Sequence, residues 1–106
     1  MTVIKRVTLF KIPDESHQDV VLEQYKKMEH GAVKDGKPYI LSLSAGKTKD
    51  DQRRKGYTLC ALSTFASVDD MKYYDTDCEA HKALKAVVAT GRIEEMPLTV
   101  FMEVEE

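Results

Sequence analysis

Tryptophan is absent from this 106-residue chain, cysteine occurs twice, proline three times and glycine five times. Each shortage closes off a class of protein. Cys60 and Cys78 stand far apart, with no CxxC and no adjoining His/Cys cluster, so they form neither a disulfide framework nor a metal pair. Free, buried thiols are expected. The five glycines make neither a GxGxxG nor a P-loop, and there is no HxxxH or carboxylate cluster at ligand spacing. No metal, nucleotide or other cofactor is expected. No apolar run approaches the roughly 20 residues that a membrane span needs, so membrane insertion is not expected either.

Positive charge is also scarce. Sixteen Lys and Arg stand against eighteen Asp and Glu, a net charge of −2, and no basic block is flanked by stacking aromatics. Nucleic-acid binding, which needs such an electrostatic footprint, is discounted. No histidine is tied by its setting to a serine or cysteine nucleophile, which leaves a hydrolase poorly supported. The opening MTVIKRVTLFKI is interrupted by Lys5, Arg6 and Lys11 and has no small-residue cleavage pattern. It reads as a strand, not a secretory signal, and a cytoplasmic location is expected.

What is present is an ordinary globular composition, 42% hydrophobic and 32% charged. The whole chain, residues 1–106, makes one domain. A domain of this size buries only roughly 60–70% of its unfolded surface, so a second copy is a natural source of further stability.

The hydrophobic pattern then sets the elements. In VIKRVTLFKI, Val3, Val7 and Leu9 fall on one side and Ile4, Thr8, Phe10 and Ile12 on the other, until Pro13 ends the strand. Ser16 is the expected cap of a helix on which Val21, Tyr25, Met28 and Ala32 form an apolar stripe. Gly36-Lys37-Pro38 is turn chemistry. YILSLSAG is a second strand, with Tyr39, Leu41, Leu43 and Ala45 opposite Ile40, Ser42 and Ser44. KTKDDQRRKG is a solvated loop of mixed charge, and YTLCALSTFA is a third strand. Ser67 caps a short helix running to about Tyr74. A further helix ends at Gly91, with Ala80, Ala83, Leu84, Val87 and Val88 on its stripe. MPLTVFMEVEE closes the chain as a fourth strand carrying Leu98, Val100, Met102 and Val104 on one face.

The order β-α-β-β-α-β is that of a ferredoxin-like α+β fold, a four-stranded antiparallel sheet with helices over one face. Its other face is bare in a monomer and apolar here. A symmetric homodimer that closes two sheets on each other is the expected answer.

Several stretches, in this order and spacing, resemble the stress-responsive A/B barrel domain family of dimeric α+β barrel proteins. They are VTLFKI, SLSAG, KGYTLCALSTFAS, VDDMKYY, EAHKAL and VFMEVE. The family includes plant stress-induced proteins and a plant polyketide cyclase that closes a poly-β-keto chain by aldol condensation without a cofactor. The resemblance to that cyclase implies that its tyrosine and histidine acid/base pair corresponds to Tyr74 and His81, with one additional residue between them here. Two further pocket histidines of the cyclase are replaced, by Arg6 in the first strand and Leu59 in the third.

The residue types suit such chemistry. A histidine can take an activated proton near neutral pH, and a tyrosine hydroxyl can steady the oxyanion that develops. Tyr74 and His81 are therefore the candidate catalytic pair, while the preferred reading is structural: His81 bonds a loop carbonyl to fix the turn between two helices and Tyr74 packs under that turn. Arg6, Tyr25, Met28 and Leu59 are candidate contacts for a small hydrophobic or aromatic ligand. Tyr25 and Met28, on the sheet-facing stripe of the first helix, are expected in the core in preference to the pocket. Arg6 is expected either between the sheets or, preferentially, at a rim position paired with an acid such as Glu103. His17 and His30 are expected at the surface.

Overall fold

The computed structural model describes every residue from Met1 to Glu106. In chain order the elements are β1 (Thr2–Phe10), α1 (Glu15–Gly31), β2 (Val33–Lys34), β3 (Lys37–Pro38), β4 (Ile40–Lys47), β5 (Leu59–Phe65), α2 (Val68–Thr76), α3 (Glu79–Val88) and β6 (Leu98–Glu105). The main sheet has the order β4-β5-β1-β6 with every neighbouring pair antiparallel, which is the expected ferredoxin-like arrangement. The short pair β2-β3 turns at Asp35 and Gly36, whose φ values of 53° and 76° are the left-handed geometry that a two-residue hairpin requires.

The three helices cover one face of the sheet. Ile4, Arg6, Thr8 and Phe10 of β1 face them, aligned with Phe65, Ser63, Ala61 and Leu59 of β5, and all eight are buried. The stripe of α1 is as expected, with Val21, Tyr25 and Met28 buried. On α3 the buried positions are His81, Leu84 and Val88, while Ala83 points to solvent. Ala83 lies about 160° around the helix axis from His81, so a stripe that buries His81, Leu84 and Val88 leaves Ala83 outside.

Two local expectations need correction. Helix α1 starts at Glu15, because the Asp14 carbonyl already accepts from the Gln18 N–H at 3.0 Å, and Ser16 lies exposed within the first turn without capping it. In β4 the alternation is broken by a bulge between Ile40 and Ser42. The extra residue, Leu41, turns outward, and Ile40, Leu43 and Ala45 become the half-buried side chains packed on the core. By contrast, Ser67 caps α2 as expected, its Oγ accepting from the Asp70 N–H at 3.1 Å. Helix α2 runs two residues past Tyr74.

The opposite face of the sheet is bare. Leu62, Leu98, Val100 and Met102 are 48%, 45%, 55% and 56% exposed there, with Val7 and Leu9 half-buried between them. No helix is long and apolar enough to cross a membrane.

Candidate ligand site

A cleft of about 380 Å³ opens between β1, α3 and the segment that leads into β6. Its walls are apolar: Phe10 from β1, Leu84 and Val88 from α3, and Ile93, Met96 and Pro97 from the segment. Its polar groups are Arg6, Thr8, Tyr25, His81, Lys85 and Thr99. The volume lies toward the lower end of the ~300–1,000 Å³ typical of small-molecule sites, and a mostly apolar lining with a few polar groups is typical as well.

The roof is the irregular stretch after α3. His17, expected at the surface, is instead only 9% exposed. Its Nε2 bonds the Val88 carbonyl at 2.9 Å at the end of α3, and its ring fills the space where a side chain at Gly91 would begin. Further along, the Glu94 N–H donates to the Lys11 carbonyl at 2.8 Å, and Lys11 Nζ meets Glu95 Oε1 at 2.9 Å. The roof is thereby tied to both β1 and α1. His30 is exposed as expected.

His81 sits in the first turn of α3. Its Nδ1 lies 2.8 Å from the Tyr74 carbonyl, and a carbonyl can only accept, so Nδ1 carries the proton and Nε2 is left with its lone pair. Nε2 has no protein partner. Burial lowers the imidazole pKa to about 4, opposed by the Tyr74 carbonyl and assisted by the positive charges of Arg6 and Lys85. The ring is therefore neutral at pH 7.

Tyr74 lies flat against His81, with ring centroids 3.7 Å apart and planes 12° from parallel. Its hydroxyl, however, points to Met28 Sδ at 3.7 Å, and Tyr74 is absent from the lining of the cleft. Burial raises its pKa. The tyrosine that lines the cleft with His81 is Tyr25, on α1. Its pKa too is raised by burial, partly offset by Arg6, so it remains a protonated donor.

Arg6 corrects a second expectation. It is 9% exposed, faces the helices, and pairs with Asp75 (Nη2 to Oδ1, 2.9 Å), while Glu103 stands opposite Ile4 in the register. The reason is alternation: Arg6 shares its side of β1 with Ile4 and Thr8. Its Cζ lies 4.9 Å from the centre of the Tyr74 ring. Met28 and Leu59, each 1% exposed, are core residues outside the cleft.

Of the six candidates, the cleft thus gathers Arg6, Tyr25 and His81 and leaves out Tyr74, Met28 and Leu59. Lys85, Thr8 and Thr99 were not anticipated. Thr8 and Thr99 face each other across β1 and β6 with hydroxyls 3.3 Å apart, a pairing that only the strand register makes visible. A larger groove of about 480 Å³ runs between α1 and β4, but Asp19, Glu23, Lys26 and Glu29 give it a solvated rim of mixed charge with little that converges. No group of three or more His, Cys, Asp or Glu side chains is placed to hold a metal ion.

Comparison with known proteins gives this geometry a setting. The chain is 44% identical over 100 residues to a Fusaristatin A biosynthesis cluster protein of Gibberella zeae, covering 94% of this chain and 72% of that one. Among solved structures, the hydroxynitrile lyase from Passiflora edulis superposes with a TM-score of 0.75 at 14% identity, covering 98% of this chain and 94% of the lyase. A dimeric protein of ferredoxin-like fold from Bacteroides fragilis gives a TM-score of 0.71 at 22% identity, covering 96% of each chain. At these identities the structural likenesses speak for the fold alone. The sequence profile of the Stress Responsive A/B Barrel Domain matches residues 4–93. On this match, which spans most of the sheet and all three helices, the chain belongs to the stress-responsive A/B barrel domain family.

Proposed function

We propose that this protein is a homodimer that binds a small apolar or aromatic molecule in the cleft of each protomer, and that it does so as part of a biosynthetic route in the reducing interior of the cell. The observation that carries the proposal is the polar end of the cleft. There His81, a neutral imidazole with no protein partner on Nε2, lines an apolar cavity together with Tyr25 and Arg6. A side chain that served only to fix the turn between α2 and α3 would need Nδ1 alone. The relative from a biosynthesis cluster supports a biosynthetic role over a general stress role. The bare apolar sheet face supports the dimer, as does the dimeric state of the Bacteroides fragilis protein. Two free cysteines are in keeping with a reducing compartment.

A second reading goes one step further, to cofactor-free proton transfer of the cyclase or lyase kind. His81 Nε2 would take a proton from an activated C–H or O–H of the bound molecule, leaving the electron pair on the substrate. The resulting anion would be steadied by Tyr25 and Arg6. The lone pair on Nε2 favours this reading, and Tyr25 replaces Tyr74 as the donor in it.

Binding is tested by following thermal stability at fixed protein concentration against a panel of small aromatic ketones and acids. A dose-dependent rise in Tm is expected for the wild type and is expected to vanish in Ala89→Trp, which blocks the cleft from an exposed position. A panel without any stabilising compound, or a rise that survives Ala89→Trp, would remove the proposal.

A further inference from the structure

The charges along the cleft are all of one sign. Two cationic side chains, Arg6 and Lys85, line it and no carboxylate does, in a chain whose net charge is −2. Arg6 is the more telling of the two. It is nine-tenths buried, yet its one ionic partner is Asp75, through a single nitrogen, and the Asp75 side chain is itself 41% exposed. A guanidinium carries five N–H donors in a planar fork, and a buried one left unmatched is strongly unfavourable. The Tyr39 hydroxyl is the single sealed side-chain polar atom that lacks a partner. The remaining Arg6 donors are therefore not sealed, and Arg6 lines the cleft.

We infer that the cleft selects a ligand carrying a carboxylate on an apolar or aromatic body, with the carboxylate held by Arg6 and Lys85 and the body lying against Leu84, Val88 and Ile93. This inference rests on the cleft being a ligand site and names the chemical class that the site takes. The fork of Arg6 matches a carboxylate in a way that a point charge does not. Lys85 is anchored through Nζ to the Asp75 carbonyl at 3.0 Å, which keeps its charge beside that of Arg6. The ligand carboxylate and Asp75 then share the guanidinium, so Asp75 weakens the site and tunes it.

Three compounds of one shape separate the possibilities: phenylpropionate, phenylpropanol and phenylpropylamine, titrated calorimetrically into the intact protein at pH 7.5. The acid is expected to bind about tenfold or more tighter than the alcohol, and the amine weakest, because a charge-assisted hydrogen bond is lost in the others. Arg6→Gln is expected to bring the acid down to the affinity of the alcohol. Since Arg6 is buried and its variant can misfold, Lys85→Gln at an exposed position is the companion: it lowers acid binding and leaves alcohol binding alone. Asp75→Asn is expected to strengthen the acid selectively. Equal binding of acid and alcohol to the wild type overturns the charge selection while leaving the ligand site in place. Failure of all three compounds to bind overturns both.

Discussion

The imidazole of His81 is stacked on the ring of Tyr74 at 3.7 Å while its Nδ1 bonds the carbonyl of the same residue at 2.8 Å. One residue thus fixes both the plane and the tautomer of the histidine, seven positions away across the break between α2 and α3. The Tyr74 hydroxyl takes no part. Held this way, the ring presents an unprotonated Nε2, and charging it would mean placing a cation beside Arg6 and Lys85.

That arrangement predicts a pH dependence. The folded-state pKa of His81 is about 4, below its ordinary 6.5, so as pH falls the unfolded chain takes up this proton before the folded one does. The stability it contributes is complete above about pH 6.5 and is lost progressively toward pH 4, on the order of 3 kcal/mol in all. Carboxylates elsewhere titrate in the same range, so the measurement is a comparison. Urea unfolding between pH 7 and 4.5 is expected to show a steeper loss for the wild type than for His81→Gln. Parallel curves would show that the histidine is not held neutral.

The two tyrosines separate by role. Tyr74→Phe removes a hydroxyl whose one partner is a thioether and is expected to change ligand binding by less than threefold, with stability altered by about 1 kcal/mol or less. Tyr25→Phe removes the hydroxyl of a residue that lines the cleft and is expected to weaken binding of an oxygen-bearing ligand about fivefold or more, leaving the dimer intact. The reverse order, measured by calorimetry, would return the donor role to Tyr74.

Gly91 and His17 form a packing pair at the roof of the cleft. A Cβ at position 91 would meet the His17 ring directly, so Gly91→Ala is expected to destabilise the protein by about 1–3 kcal/mol in urea unfolding. In a His17→Ala background the same change should be nearly neutral, because the obstructing ring is gone. Additive effects in this double-mutant cycle would mean that the two residues do not touch.

The bare sheet face makes its own prediction. Val100 is 55% exposed at the centre of β6, pointing away from the helices and opposite Val7. A buried charge at a two-fold interface is met by its own copy, so Val100→Asp is expected to convert the dimer to monomer and lower Tm. Sedimentation equilibrium of wild type and variant decides it. Identical masses would place the contact elsewhere.

The sequence carried the fold through periodicity, and the pattern was clear wherever one face of an element is buried. Ile4, Thr8 and Phe10 alternate as a strand must, and Val21, Tyr25 and Met28 recur as a helix must. It misled where one residue shifts the phase. Leu41 reads as a core position until the bulge in β4 turns it outward, and no local signal marks the bulge. The candidate site was legible only in part. Arg6 and His81 drew attention through the family resemblance, at the positions of a pocket histidine and a catalytic one, and both line the cleft. Which tyrosine accompanies them depends on how α1 and α2 lie across the sheet, a tertiary fact that spacing along the chain does not hold. His17 was misplaced for a similar reason: its partner, the Val88 carbonyl, is 71 residues away.

Native mass spectrometry of the protein isolated gently from its own host tests the central claim most directly, because oligomer mass and retained ligand appear in one spectrum. A homodimer carrying one small apolar acid per protomer, displaced in Ala89→Trp, is the predicted result. A homodimer that is empty under conditions that preserve other bound small molecules would contradict the ligand site, and a monomer would contradict the pairing of the two bare sheets.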